Sequence, residues 1–202
     1  MIQKPKNWES VQAFSDAKAL PVDAYVCKVN GVRIEDNSYG HVMVIAFDIT
    51  EGEQAGYYRK NFDANTNANK KWRGTFRQWL PNDDGSEKDE MTKRTLKGMT
   101  TAFEQSNSGY QWNWNETSLL GKTVGILYRE EEYEVEGRHG WSARPFRMMS
   151  ADCVRSGDYT IPEKRPLRSD AYEAPNAASG NDMAATFGGN FTAVDTADEL
   201  PF

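Results

Sequence analysis

The side chains with the most chemical character in this sequence are cations and aromatic rings that recur together. Tyr57-Tyr58-Arg59-Lys60-Asn61-Phe62 places three rings and two cations in six positions. Lys70-Lys71-Trp72-Arg73 repeats the mixture, and Arg138-His139-Gly140-Trp141 with Arg144 repeats it again. Cations neutralise phosphates and flat rings take stacked bases, each stacked base being worth roughly 1–3 kcal/mol, so the combination suits an unpaired nucleic-acid strand. The candidate contact residues are Tyr57, Tyr58, Arg59, Lys60, Lys70, Lys71, Arg73, Arg138, Trp141 and Arg144. Structural duty is the competing reading: strand tyrosines commonly fill a pleated surface, and Trp72, Phe76 and Trp79 stand at a helical spacing suited to a core.

Catalysis finds less support. Glu130-Glu131-Glu132 and Asp83-Asp84 supply carboxylates, but alternation along a strand sends neighbouring side chains to opposite faces. The phosphate-loop and dinucleotide-binding glycine patterns are absent, as are G-x-S-x-G and H-E-x-x-H. Cys27 and Cys153 are far apart with no C-x-x-C, which excludes a cysteine zinc site and a disulfide scaffold, and His41 and His139 have no partner nearby in sequence. No catalytic residue, metal or cofactor is expected. The enzyme alternative is a Mg²⁺-dependent nuclease built on the clustered carboxylates. Cysteine usage points to a reducing compartment, the cytoplasm.

The net charge of −6 argues against a polyanion partner when taken over the whole chain. Its distribution reverses that argument. Residues 1–164 carry 22 Lys and Arg against 24 Asp and Glu, whereas residues 165–202 carry 2 against 6. The body is nearly neutral and has cations to spare for one face. The longest apolar run, Val42 to Phe47, is too short to cross a membrane, and the N-terminus shows no secretory pattern.

The elements that must position the candidate residues follow from period and punctuation. Asp23 to Ile34 and His41 to Thr50 read as strands around an Asn37-Ser38-Tyr39-Gly40 turn, the second with Met43, Ile45, Phe47 and Ile49 on its core face. Tyr57 to Phe62 reads as a third strand. Trp72, Phe76, Trp79 and Leu80 then read as a helix ended by Pro81, with Lys70, Lys71, Arg73 and Arg77 as its basic face. A second helical run follows a Ser86/Asp89 capping box and carries Thr92, Leu96, Met99 and Phe103. Lys122 to Val135 and Trp141 to about Cys153 form a hairpin around Gly137-Arg138-His139-Gly140. The expected fold is mainly β: an OB-like five-stranded barrel with a helical insert between strands 3 and 4.

From about Arg165 the composition turns to Ala, Asn, Gly, Ser and Thr, which cannot bury enough surface to offset the entropy of ordering. The expected organisation is a nucleic-acid-binding domain over 1–164 and a disordered acidic tail over 165–202. The tail ends in Asp198-Glu199-Leu200-Pro201-Phe202, where carboxylates steer toward a basic rim, Pro201 limits the entropy lost on binding, and Phe202 serves as an anchor.

That tip resembles the end of bacterial and phage single-stranded DNA-binding proteins, which close on acidic residues and an apolar-Pro-Phe sequence. Residues 20–155 also resemble a family of small phage proteins assigned to single-stranded DNA binding. Leu20-Pro21-Val22-Asp23-Ala24-Tyr25-Val26 matches its opening strand, with Asp23 where the family often has Gly. Phe47-Asp48-Ile49-Thr50-Glu51-Gly52-Glu53 with Gly56 matches the end of the second strand, and Leu120-Gly121-Lys122-Thr123-Val124-Gly125 matches the start of the fourth. The resemblance implies an OB-fold, single-stranded DNA binding with little sequence preference, phage or mobile-element origin, and a tip (Asp198, Glu199, Leu200, Pro201 and Phe202) that recruits replication or recombination proteins. A homo-oligomer is compatible with it. The rival readings are a strand-annealing protein and an OB-type protein-interaction or oligosaccharide-binding module.

Overall fold

Alternating apolar residues build the first two strands, β1 (Ala24–Asn37) and β2 (Gly40–Ile49), of a computed structural model that describes residues 3–10, 19–38, 40–135 and 137–167. Tyr25, Cys27 and Val29 of β1 face the core together with Met43, Ile45, Phe47 and Ile49 of β2. The two strands pair antiparallel from Cys27↔Ile49 to Asn37↔Gly40, with a register shift between Val29 and Gly31. Such a bulge increases the local twist. Here it separates two jobs of β1, because only the stretch before it, Ala24 to Lys28, also pairs with β4 (Thr123–Val135).

Strands β3 (Thr75–Trp79) and β5 (Arg138–Met149) complete an antiparallel sheet of order β3-β2-β1-β4-β5. Among the described residues no ladder joins β3 to β5, so the sheet is open along that seam and the expected barrel closure is not formed. The helix α2 (Glu87–Ser106) lies between β3 and β4 in sequence, as expected of the insert, and buries Leu96, Met99 and Phe103 against the sheet. Each large apolar side chain so buried contributes about 1.5–3 kcal/mol. Ser86 caps α2 by accepting from the Asp89 amide at 3.1 Å. Asp89 does not reach back to complete the box. Its carboxylate takes the amides of Asn82 and Asp83 and pairs with Lys93, tying the helix start to the end of β3.

Three expectations are corrected. Tyr57 to Phe62 is not the third strand but lies in a helix, α1 (Tyr57–Ala64). Gly56, at φ +73°, turns the chain out of the loop after β2, and the Asp48 carboxylate accepts the amides of Tyr58 and Arg59. An anion at the first free amides of a helix offsets the strand preference of its tyrosines. Trp72 to Leu80 is not a helix either. Residues 65–74 are loop, so Lys70, Lys71 and Arg73 lie on no helix face, and Thr75–Trp79 is β3. There Phe76 and Gln78 turn inward while Thr75, Arg77 and Trp79 turn outward, because β2 offers an unpaired edge that a helix would leave unsatisfied. Finally, Val135 pairs with Arg138, so Arg138, His139 and Gly140 belong to β5 rather than to the turn. The strand stops at Met149, where Ser150 accepts the Cys153 amide and starts α3 (Ala151–Ser156).

After α3 the chain returns along β4. Arg165 forms a parallel bridge to Glu131, with its amide donating to Glu130 and its carbonyl accepting from Glu132. Residues 168–202, which include the Asp198–Phe202 tip, lie outside the described residues.

Candidate nucleic-acid interface

The loop after α1 folds Trp72 back over the helix. Its indole Nε1 donates to the carbonyls of Phe47 and Gly74, both at 3.1 Å. Gly74 is required there: a Cβ would stand 2.4 Å from the Phe47 carbonyl oxygen and 2.8 Å from the Tyr58 ring. Tyr58 is buried beneath, edge-on to Phe47 and Tyr57 at 5.5 and 5.2 Å. Burial pushes its phenol well above the usual range, so it is a neutral structural group. The Phe62 ring, one turn along α1, meets the Trp72 ring at 5.7 Å.

Cations flank these rings. The Arg59 guanidinium lies 5.5 Å from the centre of the Trp72 ring, and Lys70 Nζ lies 4.5 Å from that of Phe62. Arg59, Trp72, Phe62 and Lys70 therefore form a continuous row of two rings with a cation at each end. Lys60 bends the other way, onto the Ala55 carbonyl at 2.8 Å. Lys71 is half-buried and Arg73 exposed, and neither forms an ion pair with the described residues. Among the described residues, no carboxylate stands within pairing distance of Arg59, Lys60, Lys70, Lys71 or Arg73. Elsewhere the contrast is clear, since Lys93 alone holds Asp83, Asp89 and Glu90, and Arg155 holds Glu51 and Asp152.

The outer face of β1-β2-β3 carries a separate charged group. Val42, Val44 and Ala46 are buried there, with Arg33 and Glu35 opposite them on β1 and Arg77 and Trp79 opposite them on β3. Arg33 donates to Glu35 at 2.8 Å and Arg77 does so at 2.5 Å. Partial burial opposes the Glu35 charge, but the hydrogen bonds from both arginines outweigh it and hold the carboxyl below its ordinary range. Two guanidiniums against one carboxylate leave this face positive.

The third candidate group is not gathered in the same way. Alternation on β5 places Trp141 on one face and Arg138 and Arg144 on the other. Trp141, 43% exposed, stands opposite Glu132 and carries Lys164 over its ring at 5.3 Å. Glu130 and Glu134 share that face, Glu130 pairing with Lys164 and Glu134 with His139. The same alternation separates the three consecutive glutamates: Glu131 pairs with Arg129 on the opposite face.

Of the sequence-derived residues, Tyr57, Tyr58, Arg59 and Lys70 converge around Trp72, with Lys60, Lys71 and Arg73 in the same segment. Trp72 is a ring that the helical reading assigned to packing, and Phe62 belongs to the basic-aromatic cluster without being one of the candidate contact residues. The basic residues bracketing Trp72 were the signal for it. Arg33 was missed because its partners, Glu35 and Arg77, come together only through strand register. Among the described residues no group of His, Cys, Asp and Glu is arranged to hold a metal ion, and no helix is long and apolar enough to cross a membrane. No protein-family model matches the chain, and no curated protein matches it.

Proposed function

We propose that the protein is a non-enzymatic single-stranded DNA-binding protein that grips the strand with the Arg59–Trp72–Phe62–Lys70 row and the outer face of β1-β2-β3. The observation that carries this reading is the set of five cations on α1 and its following loop, none engaged by a carboxylate among the described residues and two of them laid on aromatic rings. Free cations attract phosphates by releasing the strand's counterions, and the rings accept bases. The order β3-β2-β1-β4-β5 with a helix between β3 and β4 is that of an OB barrel opened between its third and fifth strands, and OB-folds bind oligonucleotides on the β2–β3 face. Replication or recombination proteins are the proposed partners of the Asp198–Phe202 tip. Leu167, the last described residue before it, donates its amide to Glu132 at 3.0 Å.

Titration of the full chain with labelled oligo-dT over a range of salt tests the reading. Wild type should bind at low salt, with the logarithm of affinity falling about 0.7 per neutralised phosphate. Arg59→Ala with Lys70→Ala should weaken binding at low salt and flatten that slope by about 1.4. Absence of binding, or a slope unchanged in the double variant, overturns the proposal. Rapid duplex formation between complementary strands would instead favour an annealing protein.

A further inference from the structure

The loop between α2 and β4 carries three aromatic residues that the interface above does not use: Tyr110, Trp112 and Trp114. Tyr110 and Trp112 pack against the core. Trp114 does not. It is 79% exposed, with its ring edge-on to Trp112 at 6.2 Å between ring centres. Its backbone is held at φ +64°, a conformation that a side chain with a Cβ adopts at a steric cost.

The loop is built to keep it there. Asn107 staples its two ends, donating to the carbonyls of Phe103 and Thr123 and accepting the Thr123 amide. Glu104 accepts the Trp112 amide at 3.0 Å, and Asn115 caps the short 3-10 turn Glu116–Leu119 through the Thr117 amide. An indole fixed outward on a pinned loop contributes little to stability, so its fitness lies in what it contacts. The charges beside it define the class of ligand. Lys122 lies over the Tyr110 ring at 4.8 Å, and the exposed Lys28 stands opposite the next residue, Thr123; neither has an ion pair among the described residues. Of the two carboxylates at this spot, Glu104 is engaged with the backbone, and Glu116 opens the 3-10 turn, where the free amides favour an anion.

Register relates this loop to the Trp72 row. The Val29 amide donates to the Lys122 carbonyl, Val29 pairs with Phe47, and the Phe47 amide donates to the Gly74 carbonyl that also receives the Trp72 indole. One line of backbone pairing therefore crosses the sheet from Lys122 to Gly74, a span of three gaps between neighbouring chains or about 15 Å. The inner face along this line is filled by core side chains, so a ligand joining its two ends must cross the outer face.

Resting on the function proposed above, we infer that Trp114 is a second base-stacking platform, and that a single strand runs across the strands of the sheet from the Trp72 row to the Trp114 loop. Oligo-dT series of increasing length test this with wild type, Trp114→Ala and Trp114→Phe. Oligonucleotides too short to reach both ends should bind wild type and Trp114→Ala alike. Longer ones should lose roughly tenfold in affinity with Trp114→Ala, and recover most of it with Trp114→Phe. The salt slope and the melting temperature of Trp114→Ala should match wild type. A Trp114→Ala variant that binds long oligonucleotides as wild type does overturns this inference and leaves the Trp72 interface standing. An equal loss at every length overturns the crossing path. Wild type that binds no oligonucleotide removes both readings.

Discussion

The phenolic oxygens of Tyr58 and Tyr128 meet at 2.7 Å, although seventy residues separate them in the chain. One belongs to α1 and the other to β4, and both rings are buried. Tyr128 in turn stands edge-on to Tyr25 of β1 at 5.5 Å. Two hydroxyls removed from water satisfy each other, so the helix bearing Arg59 and Phe62 is fastened to the centre of the sheet, and the cation–ring row inherits the rigidity of the core.

Tyr58→Phe leaves the Tyr128 hydroxyl buried without its partner, and Tyr128→Phe does the converse. Each should lower unfolding free energy by about 1–3 kcal/mol in urea titration. The double Phe variant should lose clearly less than the two single losses combined, because no orphaned hydroxyl remains. Strict additivity would show that the two groups do not depend on each other.

Gly74→Ala should be more damaging than most surface changes. The new methyl would enter the space of the Phe47 carbonyl and the Tyr58 ring, where overpacking costs about 1–3 kcal/mol. The same substitution at Gly52, where nothing stands within 4 Å, meets no such obstruction, although its φ of +77° still carries strain. A loss of stability at Gly74 no larger than at Gly52 would contradict the close approach.

Glu35 links the sheet face to pH. Its carboxyl is held below the ordinary 4.5, so ionised Glu35 adds stability above about pH 4.5, and that contribution fades as pH falls through the lower native value. Glu35→Gln should therefore melt a few degrees below wild type at pH 7, with the two curves converging in acid. A gap that stays constant down to pH 3 would assign the difference to something other than the charge.

Much of the architecture was legible because it rests on local pattern. The β2 core face, the α2 stripe of Leu96, Met99 and Phe103, the Ser86 cap and the hairpin all follow from period and punctuation. The segment from Tyr57 to Leu80 was not legible, for a common reason. Tyr57–Phe62 has strand-forming residues, but Asp48, distant in sequence, supplies the anion that starts a helix. Trp72, Phe76 and Trp79 have helical spacing, but the free edge of β2 recruits Thr75–Trp79 as a strand. In both places a tertiary partner outweighs local preference. The candidate site was partly legible: basic residues around Trp72 marked the segment where cations and rings meet, whereas the Arg33–Glu35–Arg77 cluster depends on a register that no single stretch of sequence encodes.

The divided role of β1 has a consequence for the molecule as a whole. Without that strand, the sheet separates into β2 with β3 and β4 with β5, and two-stranded ribbons hold together only marginally in water. Neither half is a viable piece, so the sheet melts as a unit and loses both ends of the Lys122–Gly74 line in the same event.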